Sequence, residues 1–410
     1  MTMKNNMPAG YKDSVVGIIP QEWEVKTLSE CFHISAGRDL QKEFYSHQRI
    51  DNYIYPIFSN SLEDRGLYGY TSKPRHKAGC ITITGRGILG VAECRETDFD
   101  AIVRLLVLRP KFEVKGKLIA EYINHKKPFY FESTGVPQLT APQIANTSIP
   151  VPPMEEQRKI AEILGVWDEA IEKQSRLIER LEVRKRALMQ RLLTGRIRLS
   201  GFTTPWQKIK LGEAGIFLST NTLSREKLND NDGYIQNIHY GDILVKYSSI
   251  VDAQLTAIPY INNGVDISSD YLENGDIVFS DTAEDSIVGK AIEISNIADN
   301  KIVAGLHTML FRPNKGCYAQ YFLGYYINSD AYRKQLAPLI QGIKVCSISK
   351  KAISQTVLET PSLSEQKAIA EVLTAADNEI ATHRKKLDAL RLQKRGLMQQ
   401  LLTGKTRVKI

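Results

Sequence analysis

Cysteines and long apolar runs are both scarce in this 410-residue chain. Cys31, Cys80, Cys94, Cys317 and Cys346 are odd in number and widely spaced, with no CxxC pair. That excludes a disulfide framework and a zinc knuckle and reads as reduced core thiols. The densest apolar stretch, Ala101 to Leu108, is broken by Arg104, so nothing approaches the roughly 18 residues that a membrane span requires. The first residues include Lys4, Asn5, Asn6, Lys12 and Asp13 with no apolar segment behind them, which argues against a secretory signal and for a cytoplasmic protein. The seven histidines show no metal-ligand spacing. What is present is 42% hydrophobic and 24% charged, the balance of a globular chain with length for two or three domains.

Positive charge is in excess, 54 Lys and Arg against 46 Asp and Glu, which favours an acidic partner such as nucleic acid. The excess is local. Arg176 to Arg198 holds eight basic and two acidic residues, Arg384 to Lys409 nine basic and one acidic, and the remainder of the chain is net acidic.

Both basic stretches belong to an internal repeat. Glu156-Gln157, Ile160-Ala161-Glu162 and Leu164 recur 209 residues later as Glu365-Gln366, Ile369-Ala370-Glu371 and Leu373. The same offset carries Asp168 to Asp377 and Leu192-Leu193-Thr194-Gly195 to Leu401-Leu402-Thr403-Gly404 without a gap. Each copy is helical by period. Ile160, Leu164, Trp167, Ile171, Ile178, Leu181, Leu188 and Leu192 step alternately by four and three, with Gln174 and Lys185 in two vacant slots. Ile369, Leu373, Ala376, Ile380, Leu387, Leu390, Leu397 and Leu401 match them, with His383 and Lys394 in the vacant slots. Polar residues at the same two seam positions suggest a register device. Each helix starts near Pro153 or Ser362 and stops at Gly195 or Gly404, and about 40 residues at 1.5 Å each give a rod of about 60 Å.

The first halves of both helices are acidic: Met154 to Ser175 carries six acids against three bases, and Leu363 to His383 four against one. Antiparallel pairing sets each acidic half beside a basic half, whereas parallel pairing sets like against like. A compact segment between the helices, with its ends close together, requires the same direction.

Two stretches that differ in sequence, roughly Tyr11 to Pro150 and Phe202 to Thr360, read as mixed strand, turn and short helix. Cys80 to Thr84 and Ile88 to Val91 are strand signals around a Gly85-Arg86-Gly87 turn, and Gly275 to Ser280 with Ile287 to Ile292 repeats the idea around a longer loop. Faint anchors link the two stretches: Pro20 and Trp23 with Pro205 and Trp206, Leu108-Arg109-Pro110 with Phe311-Arg312-Pro313, and Gly135 with Gly342. The expected fold is α+β: two mixed α/β domains separated by two long antiparallel coiled-coil helices, with a pseudo-two-fold internal repeat. Its segments are 1–150, a helix over 151–197, a second domain over 198–360 and a second helix over 361–410.

In Ile149-Pro150-Val151-Pro152-Pro153 before Glu156-Gln157-Arg158-Lys159-Ile160-Ala161, in Leu192-Leu193-Thr194-Gly195, and in their second copies, the chain resembles the specificity subunit of type I restriction-modification enzymes. The second copy departs from the pattern at its entry, which is Thr360-Pro361-Ser362-Leu363 instead of the proline-rich run. The resemblance implies two target-recognition domains, each reading half of a bipartite duplex DNA target, and spacer helices that dock two modification subunits. It also implies that restriction subunits join the complex, and that S-adenosylmethionine, ATP and magnesium bind in partner subunits, with no cofactor in this chain.

The residues themselves carry no catalytic motif. No Asn-Pro-Pro-aromatic or Asp-Pro-Pro-aromatic sequence and no glycine-rich cofactor loop occurs. Gly404-Lys405-Thr406 lacks the glycine five residues earlier that a phosphate-binding loop needs, since Gln399 is there. Glu365-Gln366-Lys367 has part of a nuclease spelling, which helix capping explains better. DNA readout needs basic, amide and apolar groups on loops. The candidates are Lys73, Arg75, His76, Lys77 and Arg86 in the first domain and Lys246, Tyr247, Ser248, Lys290 and Lys344 in the second, each weighed against ordinary solvated surface. Arg86 stands out because its flanking glycines let the loop approach a groove. Tyr53, Tyr55, Tyr68, Tyr70, Tyr321, Tyr325, Tyr326 and Tyr332 read as structural. The alternatives to a recognition subunit of a type I complex are a specificity subunit whose single partner both methylates and cuts, a stand-alone enzyme, and a coiled-coil scaffold without DNA affinity.

Overall fold

The computed structural model describes residues 7–129, 137–284 and 287–410. Lys4, Asn5, Asn6 and Gly135 lie outside them. The chain divides into two compact units, residues 1–175 with 385–410, and residues 176–384. The division falls within both long helices, Met154–Leu192 and Leu363–Leu401, so each unit holds half of each. The fold is the expected mixed α/β one with long antiparallel helices.

In the first unit a four-stranded sheet has the order Phe32–Ala36, Leu106–Pro110, Ile81–Ile83, Ala92–Cys94. A second sheet has the order Asp100–Ala101, Tyr55–Phe58, Leu67–Thr71, Tyr45–Ser46. Its core gathers Trp23, Leu28, Ile81, Leu108 and Ile119 with Ile160 and Leu164 of the first helix and Met398, Leu401 and Leu402 of the second. The helix seam is thus continuous with a domain core, which stabilises helical segments more than propensity does.

In the second unit the sheet order is Gly215–Leu218, Thr308–Pro313, Ile277–Ser280, Ala291–Ser295, Ile250–Asp252, beside a second sheet of Leu228–Asn229, Tyr260–Ile261, Gln236–Ile238 and Ile302–Ala304. The first four strands repeat the main sheet of the first unit in order and direction. The anchors read from sequence fall at matching places: Leu108-Arg109-Pro110 and Phe311-Arg312-Pro313 both close the long central strand. Tyr325, Tyr326 and Tyr332 are buried in the core here, together with Ile369 and Leu373 of the second helix and Leu192 and Leu193 of the first.

Every seam position from Ile160 to Leu192 and from Ile369 to Leu401 is buried or half-buried. Direction is fixed by ion pairs inside each unit. In the first, Asp168 faces Lys394 at 2.7 Å, and Glu156, twelve residues earlier on its helix, meets Arg407, beyond the end of the other. In the second, Glu182 faces Arg384, Lys185 faces Asp377 at 2.5 Å, and Arg198 faces Glu365. Rising numbers on one helix meet falling numbers on the other, so the pairing is antiparallel.

The repeat offset relates these contacts. Lys185–Asp377 and Lys394–Asp168 are one pair occurring twice, with the two copies exchanging roles. The seam lysines are therefore partnered: Lys394 also reaches Glu121 at 2.6 Å, and Asp377 accepts a second bond from the Tyr325 hydroxyl at 2.7 Å. The two helix entries also match despite their different sequences. Gln157 Nε2 donates to Pro152 O and Gln366 Nε2 to Pro361 O, while Gln157 Oε1 accepts from Lys115 N and Gln366 Oε1 from Ala319 N. One proline carbonyl and one buried glutamine suffice to set the entry; the extra prolines of the first copy are dispensable.

Candidate nucleic-acid interface

The Gly85-Arg86-Gly87 turn follows strand Ile81–Ile83. Thr84 ties its base: the Thr84 hydroxyl donates to Ile88 O at 2.6 Å and accepts from Val91 N at 2.9 Å. Gly85 is buried, and a Cβ there would stand 2.8 Å from Leu139 O, so only glycine fits. Gly87 has φ +67°, a left-handed conformation that glycine adopts without strain. Arg86 between them is exposed, with no ion pair or side-chain hydrogen bond among the described residues. A rigid base and a free guanidinium is the arrangement expected of a group that probes a groove.

The other sequence candidates divide by what they already hold. Lys344 is exposed on the loop of Gly342 to Val345, between Gln341 and Ser347, which pair with each other. Lys73 is exposed with its ammonium 3.9 Å from the Phe44 ring centroid, and Lys77 is exposed beside Asp98 at 2.8 Å. These three remain at the surface, and an exposed pair such as Lys77–Asp98 is weak.

The rest are committed inside the fold. Arg75 is 2.6 Å from the buried carboxylate of Asp100, and its second arm reaches Asp39 O. The His76 ring stacks on Phe99, and burial lowers its pKa. Tyr247 is a core residue, with burial raising its pKa. Ser248 donates to Ile250 O. Lys246 donates to Ala257 O at 2.7 Å. Lys290 donates to Leu244 O and Tyr247 O, capping the end of helix Tyr240–Val245, and burial, then Arg333, lower its pKa. A lysine on helix-end carbonyls is a structural contact. Sequence gave no sign of it because that helix end lies over forty residues away in the chain.

The fragments of catalytic spelling are similarly occupied. Glu365 is 1% exposed and held by Arg198, and Gln366 by Pro361 O. Gly404 has φ +68°, the conformation of a helix C-terminal glycine. No group of His, Cys, Asp and Glu that could hold a metal ion occurs among the described residues, and no described helix is long and apolar enough to cross a membrane.

Residues 20–183 and 204–392 each match the family described as type I restriction modification DNA specificity domain. The chain is 25% identical to the type I restriction enzyme MjaVIII specificity subunit of Methanocaldococcus jannaschii over 95% of its own length and 94% of the relative's. In structure it is similar to the S subunit of a type I restriction-modification system from M. genitalium, with TM-score 0.57 at 16% identity over 100% of this chain and 99% of that one. A chain from a structural study of complex assembly and conformational transition in the type I R-M system gives the same TM-score at 17% identity, covering 95% and 99%.

Proposed function

The chain belongs to the type I restriction-modification DNA specificity family, and from that premise we propose that its two domains each read one half of a bipartite duplex DNA target for a methylating and cleaving complex. The observation that carries this reading is the duplication: one sheet scaffold occurs twice with different loops, as two half-sites of unlike sequence require. Arg86 on one copy and Lys344 on the other offer free cations for base or phosphate contact.

The helices supply the docking surface for two modification subunits. Val183 and Leu392, related by the repeat offset, stand 57% and 66% exposed, giving one apolar contact on each copy. Restriction subunits complete the assembly. S-adenosylmethionine, ATP and magnesium enter with the partners, and this chain directs the chemistry without performing it.

The test is reconstitution. The chain with its modification subunits should methylate adenine at one bipartite sequence, whereas the purified chain with S-adenosylmethionine should neither methylate nor cut. Turnover without a partner would assign a stand-alone enzyme, and no salt-dependent DNA binding in the complex would leave a scaffold. Replacing Lys73 and Lys77 with Ala should lower the salt slope of binding by about one per lost phosphate contact.

A further inference from the structure

The two main sheets can be aligned residue by residue at one edge. In the first unit Leu106 faces Ala36 on one side and Ile83 on the other, so three strand ends meet there. In the second, Leu310 faces Leu218 and Thr308 faces Ser280, bringing the corresponding ends together. Backbone hydrogen bonds extend the match into the loops. Arg38 N donates to Ala101 O and Asn221 N to Ala304 O; Ile102 N to Phe58 O and Gly305 N to Ile238 O; Leu139 N to Gly85 O and Ile348 N to Asp281 O. By this count Arg38, Asn60, Arg86 and Arg104 occupy the four seats that Asn221, Tyr240, Thr282 and His307 occupy in the second unit.

The seats are pinned. Asn60 Nδ2 donates to Val103 O at 2.6 Å and its Oδ1 accepts from Gly85 N at 2.7 Å, fastening two loops together. Val103 and Arg104 are held at φ 54° and 65°, a left-handed conformation that side-chain-bearing residues disfavour and that functional loops retain. Other arginines of this unit are engaged: Arg65 with Glu93, Arg75 with Asp100, Arg95 with Thr82. Arg38, Arg86 and Arg104 are exposed, and among the described residues none has an ion pair or side-chain hydrogen bond. Three guanidinium groups on three adjoining loops form a cationic edge without a counter-charge.

The second unit fills the same seats with neutral chemistry. His307 stands edge-on to Tyr240 with ring centroids 5.3 Å apart, and its Nδ1 lies 3.3 Å from the Thr282 hydroxyl. Asn221 is buried, donating to Asn237 Oδ1 and Ala304 O.

We propose that these four seats are the base-reading head of each domain, and that Arg38, Arg86 and Arg104 engage guanine, so that the half-site read by the first domain contains guanine. The second domain reads its half-site through Tyr240, Thr282 and His307. This rests on the DNA-recognition reading above and adds which residues choose the bases. A guanidinium fork matches guanine O6 and N7, and an unpaired exposed arginine needs no internal bond broken to make that contact.

The experiment uses the full chain in complex with its modification subunits, mapping methylated sites in cells carrying R38Q, R86Q, R104Q or, for the other domain, H307A. Each arginine variant should lose roughly 5- to 100-fold discrimination at one guanine of one half-site, leaving the other half-site as read before. H307A should relax the opposite half-site. Because the replaced side chains are exposed or half-exposed, the melting temperature should not move. Uniform weakening across all sequences would make the arginines phosphate contacts and overturn the proposal, as would an unchanged target or relaxation of the same half-site by H307A. A wild-type complex without any bipartite target would instead overturn the function on which the proposal rests.

Discussion

Arg198 grips Glu365 with two parallel bonds, Nε to Oε1 at 2.5 Å and Nη2 to Oε2 at 2.6 Å, and Glu365 is 1% exposed. The repeat-related pair is Arg407 with Glu156, also 1% exposed. The two differ in what backs them: the Trp23 indole donates to Glu156 at 2.9 Å, whereas Trp206 Nε1 is buried with no partner.

R198A should therefore destabilise the second unit by about 3–5 kcal/mol, since it strands a buried carboxylate. R407A should destabilise the first unit less, because Glu156 keeps its indole donor. Adding E365L to R198A should recover part of the loss. Denaturant unfolding of the three variants checks the order, and equal losses for both arginines would remove the indole from the account.

These pairs mark the boundary of what sequence discloses. The repeat, the seam and the antiparallel direction were legible because periodicity and charge blocks survive in one dimension. The reading seats were not. Residues 38, 60, 86 and 104 lie far apart in the chain and meet only because three strand ends share an edge. No spacing rule selects Arg104, and its left-handed backbone leaves no mark in the sequence. Lys290 and Arg75 show the converse, basic residues that look like surface but are held by helix-end carbonyls and by a buried aspartate. The one loop residue singled out by sequence logic, Arg86, was marked by its glycines, a local signal.

Glu293 makes the second unit pH-dependent. It is 2% exposed, and burial raises its carboxyl from 4.5 to about 7 against the lowering effect of backbone N–H groups of Gly324 and Tyr321. Between those values the folded state holds a proton that the unfolded chain releases, so stability falls as pH rises through that window. E293Q has no such proton and lacks one acceptor oxygen. Its melting temperature should lie below that of the wild type at pH 5.5, with the gap narrowing by pH 8.5. A gap that widens with pH would mean that the bound N–H groups outweigh burial.

The chain ends of the first unit lie where the second unit has continuous backbone. The Tyr11 hydroxyl donates to Gly404 O at 2.8 Å, and a Cβ on Gly404 would strike Pro20 and Trp23. In the second unit Gly195 lies against Trp206 with the intervening residues running straight through. Joining residue 410 to residue 1 and opening the chain after exposed Thr203 should therefore preserve the fold. Calorimetry should place the permuted chain within about 4 °C of the original, and its methylation target should be unchanged.

The helices are expected to set the unread gap between half-sites, which makes their length a ruler. Each is 39 residues in one uninterrupted element, and a four-residue insertion adds about 6 Å at 1.5 Å per residue, close to two base pairs at roughly 3.4 Å each. Four residues are also roughly one turn, so the apolar stripe rotates only slightly, with a local stutter. The ion pairs dictate where the insertions go. After Arg180, the first helix keeps Lys185 with Asp377; after Ala389, the second keeps Lys394 with Asp168. Lengthening both helices together preserves every pair inside each unit, whereas lengthening one alone forces a bulge. The double insertion should recognise the same two half-sites across a longer gap in methylome mapping. An unchanged gap in an active complex would move the ruler to the modification subunits.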